Sequence, residues 1–129
     1  MEMAIILPVL LLVLGGIVDL GRALYGQIII SNAAREGARM VSVSGYSTTQ
    51  VQDRVRLASG GISPMVVPAT NLTITPTACP ASPAPTDSGT VTVTATGFGW
   101  LMLNVVPQLV GGNIPAPNLT ATASMRCVA

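Results

Sequence analysis

Few side chains in this sequence of 129 residues are able to do acid, base, nucleophilic or metal chemistry. It contains six arginines, five acidic residues and no histidine. Cys79 and Cys127 match no CxxC or zinc-ligand spacing, and no nucleophile can be paired with a base. P-loop, GxGxxG and EF-hand patterns are absent. The sequence therefore predicts a protein that is not an enzyme and that holds no cofactor or metal.

The two cysteines are better explained by a disulfide. Cys79 lies in a Pro-rich segment, residues 76–85, and Cys127 is close to the end of the chain. A bond between them closes a loop of about 50 residues, which would stabilise a small domain by roughly 4 kcal/mol. It also implies an oxidising compartment outside the cytoplasm. The alternative is two buried, unpaired thiols in a cytosolic protein.

The remaining charges frame one apolar run, MAIILPVLLLVLGGIV at residues 3–18, with Glu2 before it and Asp19 and Arg22 after it. The run is just under the roughly 20 residues that a bilayer span needs, so it predicts a membrane span or the core of an assembly. Glu2 must lie at an interface or find a cation, such as the N-terminal amine of a neighbouring subunit. Alternatively, it favours the N-terminus of its own helix. A cleaved secretory signal is a competing interpretation, although Glu2 stands where a basic segment should be.

The run continues into an amphipathic helical pattern over residues 20–43, which predicts one helix of roughly 60 Å from residue 3 to the early forties. Pro8 is expected to bend it or to melt it locally. The polar face includes Arg35, Glu36 and Arg39. The apolar face is predicted to contain Leu20, Ala23, Leu24, Ile28, Ala34, Ala38 and Val41.

Beyond this helix the sequence predicts a small head. Thr48 or Thr49 can cap a short helix that Gly60 ends. Three alternating segments, residues 71–75, 90–96 and 118–124, predict an antiparallel sheet with one apolar face. The predicted fold class is therefore α+β, with a hydrophobic helix at residues 1–43 and a β-rich head at 44–129. Residues 97–106, GFGWLMLNVV, are expected to be core or a buried strand, or else to expose Trp100 to a neighbouring subunit.

Two octets at the N-terminus carry a family resemblance: GIVDLGRA at residues 16–23 and NAAREGAR at residues 32–39. In their order and in their distance from Glu2, they closely resemble the TadE-like family of type IV pilin-related proteins. The end of the chain, LTATASMR at residues 119–126, is similar to that family's closing strand. Family members usually have several residues between the cleavage point and the Glu. Because only Met1 precedes Glu2 here, the expectation is that the chain is already processed or has a different true start.

The resemblance implies a pilin subunit. Such a subunit is made as an inner-membrane precursor, is trimmed by a prepilin peptidase and is assembled by pilus machinery into an extracellular filament of identical subunits. In that family the glutamate at the position of Glu2 neutralises the amine of an adjacent subunit. The residues expected to serve assembly are Glu2, Pro8, Asp19, Arg22, Arg35, Glu36 and Arg39.

Two other roles stay open at this point. One is a minor TadE-like pseudopilin that remains in the inner membrane and primes pilus assembly or secretion. The other is a membrane-tethered binding or adhesion module that uses the Pro-rich loop or the region of Trp100. No cluster of basic and aromatic residues is present, so the sequence does not predict a nucleic-acid partner.

Overall fold

The computed structural model describes residues 3–43, 45–62 and 71–128. The described elements follow one another as two helices, one helical turn, and three strands with a short helix between the last two. Their bounds are α1 Met3–Ser42, α2 Thr48–Ala58, a 3-10 turn Gly60–Ile62, β1 Leu72–Thr77, β2 Ser88–Ala95, α3 Val105–Leu109 and β3 Leu119–Arg126.

Helix α1 is 40 residues long and is continuous across Pro8. The expected melted stretch is therefore wrong for the described residues. Pro8 has no N–H to donate to the Ala4 carbonyl, and its ring crowds that carbonyl, but both effects are confined to one turn of the helix. The cost is local, and the helix continues on both sides of the proline.

The apolar face predicted for α1 is correct for its alanines and Val41 and wrong for its leucines and Ile28. Ala34 and Ala38 are buried, whereas Leu24 and Ile28 are more than half exposed. The buried face instead consists mainly of small residues, since these let the head approach the helix backbone closely. Its members are Gly15, Asp19, Gly26, Ile30, Ala33, Ala34, Gly37, Ala38, Val41 and Ser42.

Helix α2 begins one residue earlier than either predicted cap allows. Ser47 is the N-cap: its hydroxyl accepts a hydrogen bond from the Gln50 amide, and the Gln50 side chain accepts one from the Ser47 amide. This reciprocal capping box satisfies two N–H groups that the first helical turn leaves without partners. Val51 and Val55 are the buried residues of α2.

The described strands form an antiparallel sheet in the order β1-β2-β3. Alternate residues of each strand are buried, as the sequence predicts, and they face α1. Val91 and Val93 of the central strand are fully buried, and the register pairs Val93 with Ile74 on one side and with Ala121 on the other. The sheet, α1 and α2 enclose one hydrophobic core. The predicted α+β class is confirmed.

Residues Cys127 and Val128, which follow β3, are bonded to the loop between β1 and β2 and to the end of α1. Cys79 and Cys127 form a disulfide, with Cα atoms 5.8 Å apart. The Cys127 amide donates to the Asp87 carbonyl at 3.0 Å, and the Val128 amide donates to the Ser42 carbonyl at 3.0 Å. The disulfide and these bonds hold the end of β3 against both the Pro-rich segment and the C-terminus of α1.

Residues 97–106 are not the buried strand that their composition predicts. Phe98 is fully buried, but Leu101 and Met102 are more than half exposed, and the chain continues into α3. Only the start of this segment belongs to the hydrophobic core. The rest lies outside the sheet, beside α1.

Gly37 sets the distance between α1 and the rest of the core. A Cβ atom at this position would lie 2.5 Å from Val55 Cγ2 and 3.1 Å from Val91 Cγ1. We expect Gly37→Ala to lower the free energy of unfolding by up to about 2 kcal/mol, because overpacking costs about 1–3 kcal/mol and helix propensity returns only about 1 kcal/mol of it. Denaturant unfolding of the full chain in detergent micelles measures this change.

Gly21 provides the matched control, since a Cβ atom there meets nothing within 4 Å. Gly21→Ala should leave the free energy of unfolding unchanged or raise it by up to about 1 kcal/mol. Equal effects at both glycines would show that Gly37 is not the limit on close packing.

Candidate functional site

Asp19 is a fully buried carboxylate at the end of the apolar run. Three consecutive backbone amides donate to it: Leu101 to Oδ1 at 3.0 Å, and Met102 and Leu103 to Oδ2 at 2.8 and 2.9 Å. An ionised carboxylate is an acceptor only, and hydrogen bonds to it are stronger than those between neutral groups. Asp19 therefore fixes the backbone of residues 101–103 to α1.

Arg22 lies one helical turn further along and closes the same site. Its guanidinium is 3.4 Å from Asp19 Oδ1, and it donates to the Gly99 carbonyl at 3.3 Å. It also lies over the ring of Phe98, with 5.4 Å from Cζ to the ring centroid. Arg22 balances the buried charge of Asp19 and holds the start of the same loop.

The anchored segment, residues 98–110, is called the docked loop below. It runs from Asp19 back along the first half of α1. Met102 packs on Gly15, where no side chain larger than hydrogen fits, and Leu103 lies over Gly16. Gly15 thus makes room for the loop, whereas a Cβ atom at Gly16 would make only an ordinary contact with Leu103, at 3.7 Å.

Further towards the helix N-terminus, an apolar groove separates the docked loop from α1. Pro8, Leu11 and Leu12 line it on the side of the helix, and Val105, Val106 and Leu109 line it on the side of the loop. Pro8 therefore faces the docked loop and not the sheet.

The first half of α1 presents an almost continuous apolar surface. Side chains from Met3 to Leu14 are between 43% and 79% exposed wherever they are large and hydrophobic. The helix is long and apolar enough to cross a membrane, and only 11% of its most apolar window is buried. The core helix of a soluble protein would be mostly buried, so this surface needs a cover from outside the described chain.

The other residues expected to serve assembly are separate from Asp19 and Arg22. Glu36 pairs with Arg54 of α2 at 3.0 Å, and both side chains are partly exposed. Arg35 and Arg39 are exposed on α1. Glu2 lies outside the described residues. The structure thus brings together Asp19 and Arg22, and it uses Glu36 to join α1 to α2.

Sequence reasoning missed the partners of Asp19, which are backbone amides and carry no residue-type signal. It also missed the pairing of Glu36 with Arg54. The sequence did contain a signal for the partners of Asp19. An acid at the end of an apolar run needs hydrogen-bond donors, and residues 97–106 are the most hydrophobic segment outside that run and so a candidate to pack against it. Within residues 3–43, 45–62 and 71–128, no group of three or more His, Cys, Asp or Glu side chains lies together as a metal site.

These features define a class: a protein with one long, exposed apolar helix that carries a small disulfide-bonded α+β head. Residues 1–39 match the family model described as TadE-like protein, which confirms the resemblance seen in the two octets. The match and the exposed apolar helix together indicate a pilus-related membrane protein. No match to the chain was found among curated proteins or among solved structures.

Proposed function

We propose that this chain is a structural pilin subunit of a Tad-like type IV pilus, with no enzymatic activity. In this proposal it polymerises through its N-terminal helix into an extracellular filament of identical subunits. Residues 1–43 form the filament core, and residues 44–129 form the outer surface. The observation that carries the proposal is α1 itself, whose first half is apolar and exposed while its second half is covered by the head.

The exposed first half of α1 is compatible with a membrane-bound precursor and with an assembled filament. Before assembly, the exposed half suits the inner membrane, where a prepilin peptidase and the pilus machinery would act on the chain. After assembly, the same half would be covered by neighbouring helices. Lipid tails are as apolar as leucine, so close packing and ion pairing would matter more to assembly than hydrophobic burial does.

Glu2 is proposed to neutralise the N-terminal amine of an adjacent subunit, and its removal tests the proposal. We expect wild-type cells to yield thin filaments after shearing, with this chain as their main component by mass spectrometry. Glu2→Ala should reduce the filament yield by roughly tenfold or more, because removing one partner of a buried ion pair costs about 3–5 kcal/mol. Electron microscopy and immunoblots of sheared and membrane fractions measure both.

The level of subunit in the membrane is the internal control, since Glu2→Ala should impair assembly and not folding. Asp53→Ala is the matched control for loss of an acid, because Asp53 is 73% exposed on α2. It should leave the filament yield unchanged. Normal filaments from Glu2→Ala would remove the pairing role, and an absence of filaments from wild-type cells would contradict the pilin proposal.

One observation favours a second role, that of a minor pseudopilin retained in the inner membrane. The docked loop covers Gly15 on the apolar half of α1, so this face is closed to a neighbouring helix. A subunit that primes assembly needs fewer contacts with its copies than a filament subunit does. Trace amounts in the membrane fraction would favour this role, and high copy number in the sheared fraction would favour the first.

A further inference from the structure

We propose that the docked loop is a second membrane-inserted element, which enters the head-side leaflet of the bilayer beside α1 and contacts lipid acyl chains. This inference rests on the part of the proposed function that places α1 in a membrane before assembly. It does not depend on polymerisation.

The position of the loop is the first argument. Met102 packs on Gly15, and α3 faces Pro8 and Leu11 across the groove. Gly15 and Pro8 are about 10 Å apart along the helix axis, and Asp19 and Leu11 about 12 Å. One leaflet of a bilayer core is about 15 Å thick. If residues 3–18 lie in hydrocarbon, whatever lies beside Pro8 and Leu11 lies there too.

The chemistry of the loop is the second argument. Between Asp87 and Arg126 the sequence has no charged residue. Leu109 and Val110 at the tip of the loop are 81% and 83% exposed. Exposure of two large apolar side chains to water is unfavourable, so their exposure indicates an apolar partner. The groove between loop and helix is lined by apolar side chains and is open, so acyl chains can fill it.

The docked loop contains two amide side chains, Asn104 and Gln108. The amide oxygen of Asn104 is already buried without a hydrogen-bond partner among the described residues, so insertion takes no further water from it. Gln108 is the exposed amide side chain on α3, and its transfer beside Leu109 is a polar cost that the apolar side chains of the loop must offset. Trp100 lies between Gly99 and Leu101, which contact Arg22 and Asp19, so it stands at the level where the apolar run ends. Tryptophan is enriched at that level of a membrane.

The backbone supplies the third argument, because irregular backbone enters hydrocarbon only when its polar groups have partners within the protein. Asp19 accepts from the amides of residues 101–103. The Val105 amide donates to the Met102 carbonyl, and the amides of Val110 and Gly112 donate to the Pro107 carbonyl. Pro107 has no N–H to satisfy. These amides thus have acceptors within the protein and do not need water, although the side chain of the N-cap residue Asn104 caps no amide of α3.

The test is quenching of tryptophan fluorescence by brominated lipids, with the full chain in phosphatidylcholine vesicles. Trp100 is the sole tryptophan, so Trp100→Phe gives a background free of signal. Three single probes are placed in it: Leu109→Trp at the loop tip, Leu10→Trp on α1, and Leu57→Trp on α2. Leu57 is 76% exposed and is the matched control for Leu109. Formation of the disulfide in each variant serves as the folding check.

We expect bromolipid to reduce the emission of Leu109→Trp and of Leu10→Trp by at least half, and that of Leu57→Trp by less than a tenth. Bromine near the chain end should quench Leu109→Trp more than bromine near the headgroup, whereas the native Trp100 should show the reverse order.

Quenching of Leu10→Trp without quenching of Leu109→Trp would overturn the inference and leave the membrane anchor intact. If copies also cross-link through their loops in that case, a second chain covers the loop in place of lipid. Absence of quenching at both positions would overturn this inference together with the membrane stage of the proposed function.

Discussion

Replacing Asp19 by asparagine should release the docked loop from α1 and lower the free energy of unfolding by about 2–4 kcal/mol. Asparagine has nearly the same shape, but its amide group would oppose at least one of the three backbone donors that now face the carboxylate. A buried donor left without an acceptor costs about 1–3 kcal/mol, and hydrogen bonds to a charged group are each worth about 1.5–3 kcal/mol. The total stays below the sum because the freed amides can reach water once the loop has left α1.

Two measurements check this result on the full chain in detergent micelles. Denaturant unfolding gives the change in free energy, and hydrogen exchange gives the protection of the amides of residues 101–103, which should be lost. Asp53→Asn is the control, since Asp53 is exposed and lies 4.0 Å from Arg56; we expect a change within about 0.5 kcal/mol. Amides that remain protected in Asp19→Asn would show that the carboxylate does not hold the loop.

Reduction of the disulfide should have the second large effect. Cys79 and Cys127 are 48 residues apart in sequence, and in the chain-entropy model a bond closing such a loop stabilises the fold by roughly 4 kcal/mol. The head has a thin core with one buried aromatic residue, Phe98, among its described side chains. Burial in this core therefore contributes little stability that could offset the loss of the disulfide.

The measurement is the denaturation midpoint of the full chain in micelles with and without a reductant. Wild type should shift to a lower midpoint on reduction. A chain with both cysteines replaced by alanine should start at the lower midpoint and should not respond to the reductant. A wild-type midpoint that is insensitive to complete reduction would exclude the bond as a source of stability.

The sequence predicted those elements whose signal is periodic and local. The long helix, the short helix and the three alternating segments all appear in the structure within a few residues of their predicted bounds. Hydrophobic spacing and capping residues decide such elements before any tertiary contact forms. The two N-terminal octets likewise sufficed for the family resemblance, which the match over residues 1–39 bears out.

Residues 97–106 show where local reasoning fails. Their hydrophobicity is typical of a buried strand, yet the chain leaves the sheet after Ala95 and passes along α1. The carboxylate of Asp19, about 80 positions away in sequence, accepts hydrogen bonds from the backbone amides of residues 101–103. In a strand, these amides would have bonded to a neighbouring strand. Nothing in the segment itself encodes that long-range contact.

The sequence alone determined the apolar run, its flanking charges, the alternation of the strands and the spacing of the two cysteines. Only the tertiary structure decided which face of α1 the head covers, because small residues allow close approach where leucines do not. It also decided that Asp19 is an internal anchor with backbone partners. Burial of a charge is a property of the packed chain, since the need for three donors can be met only when distant segments come together.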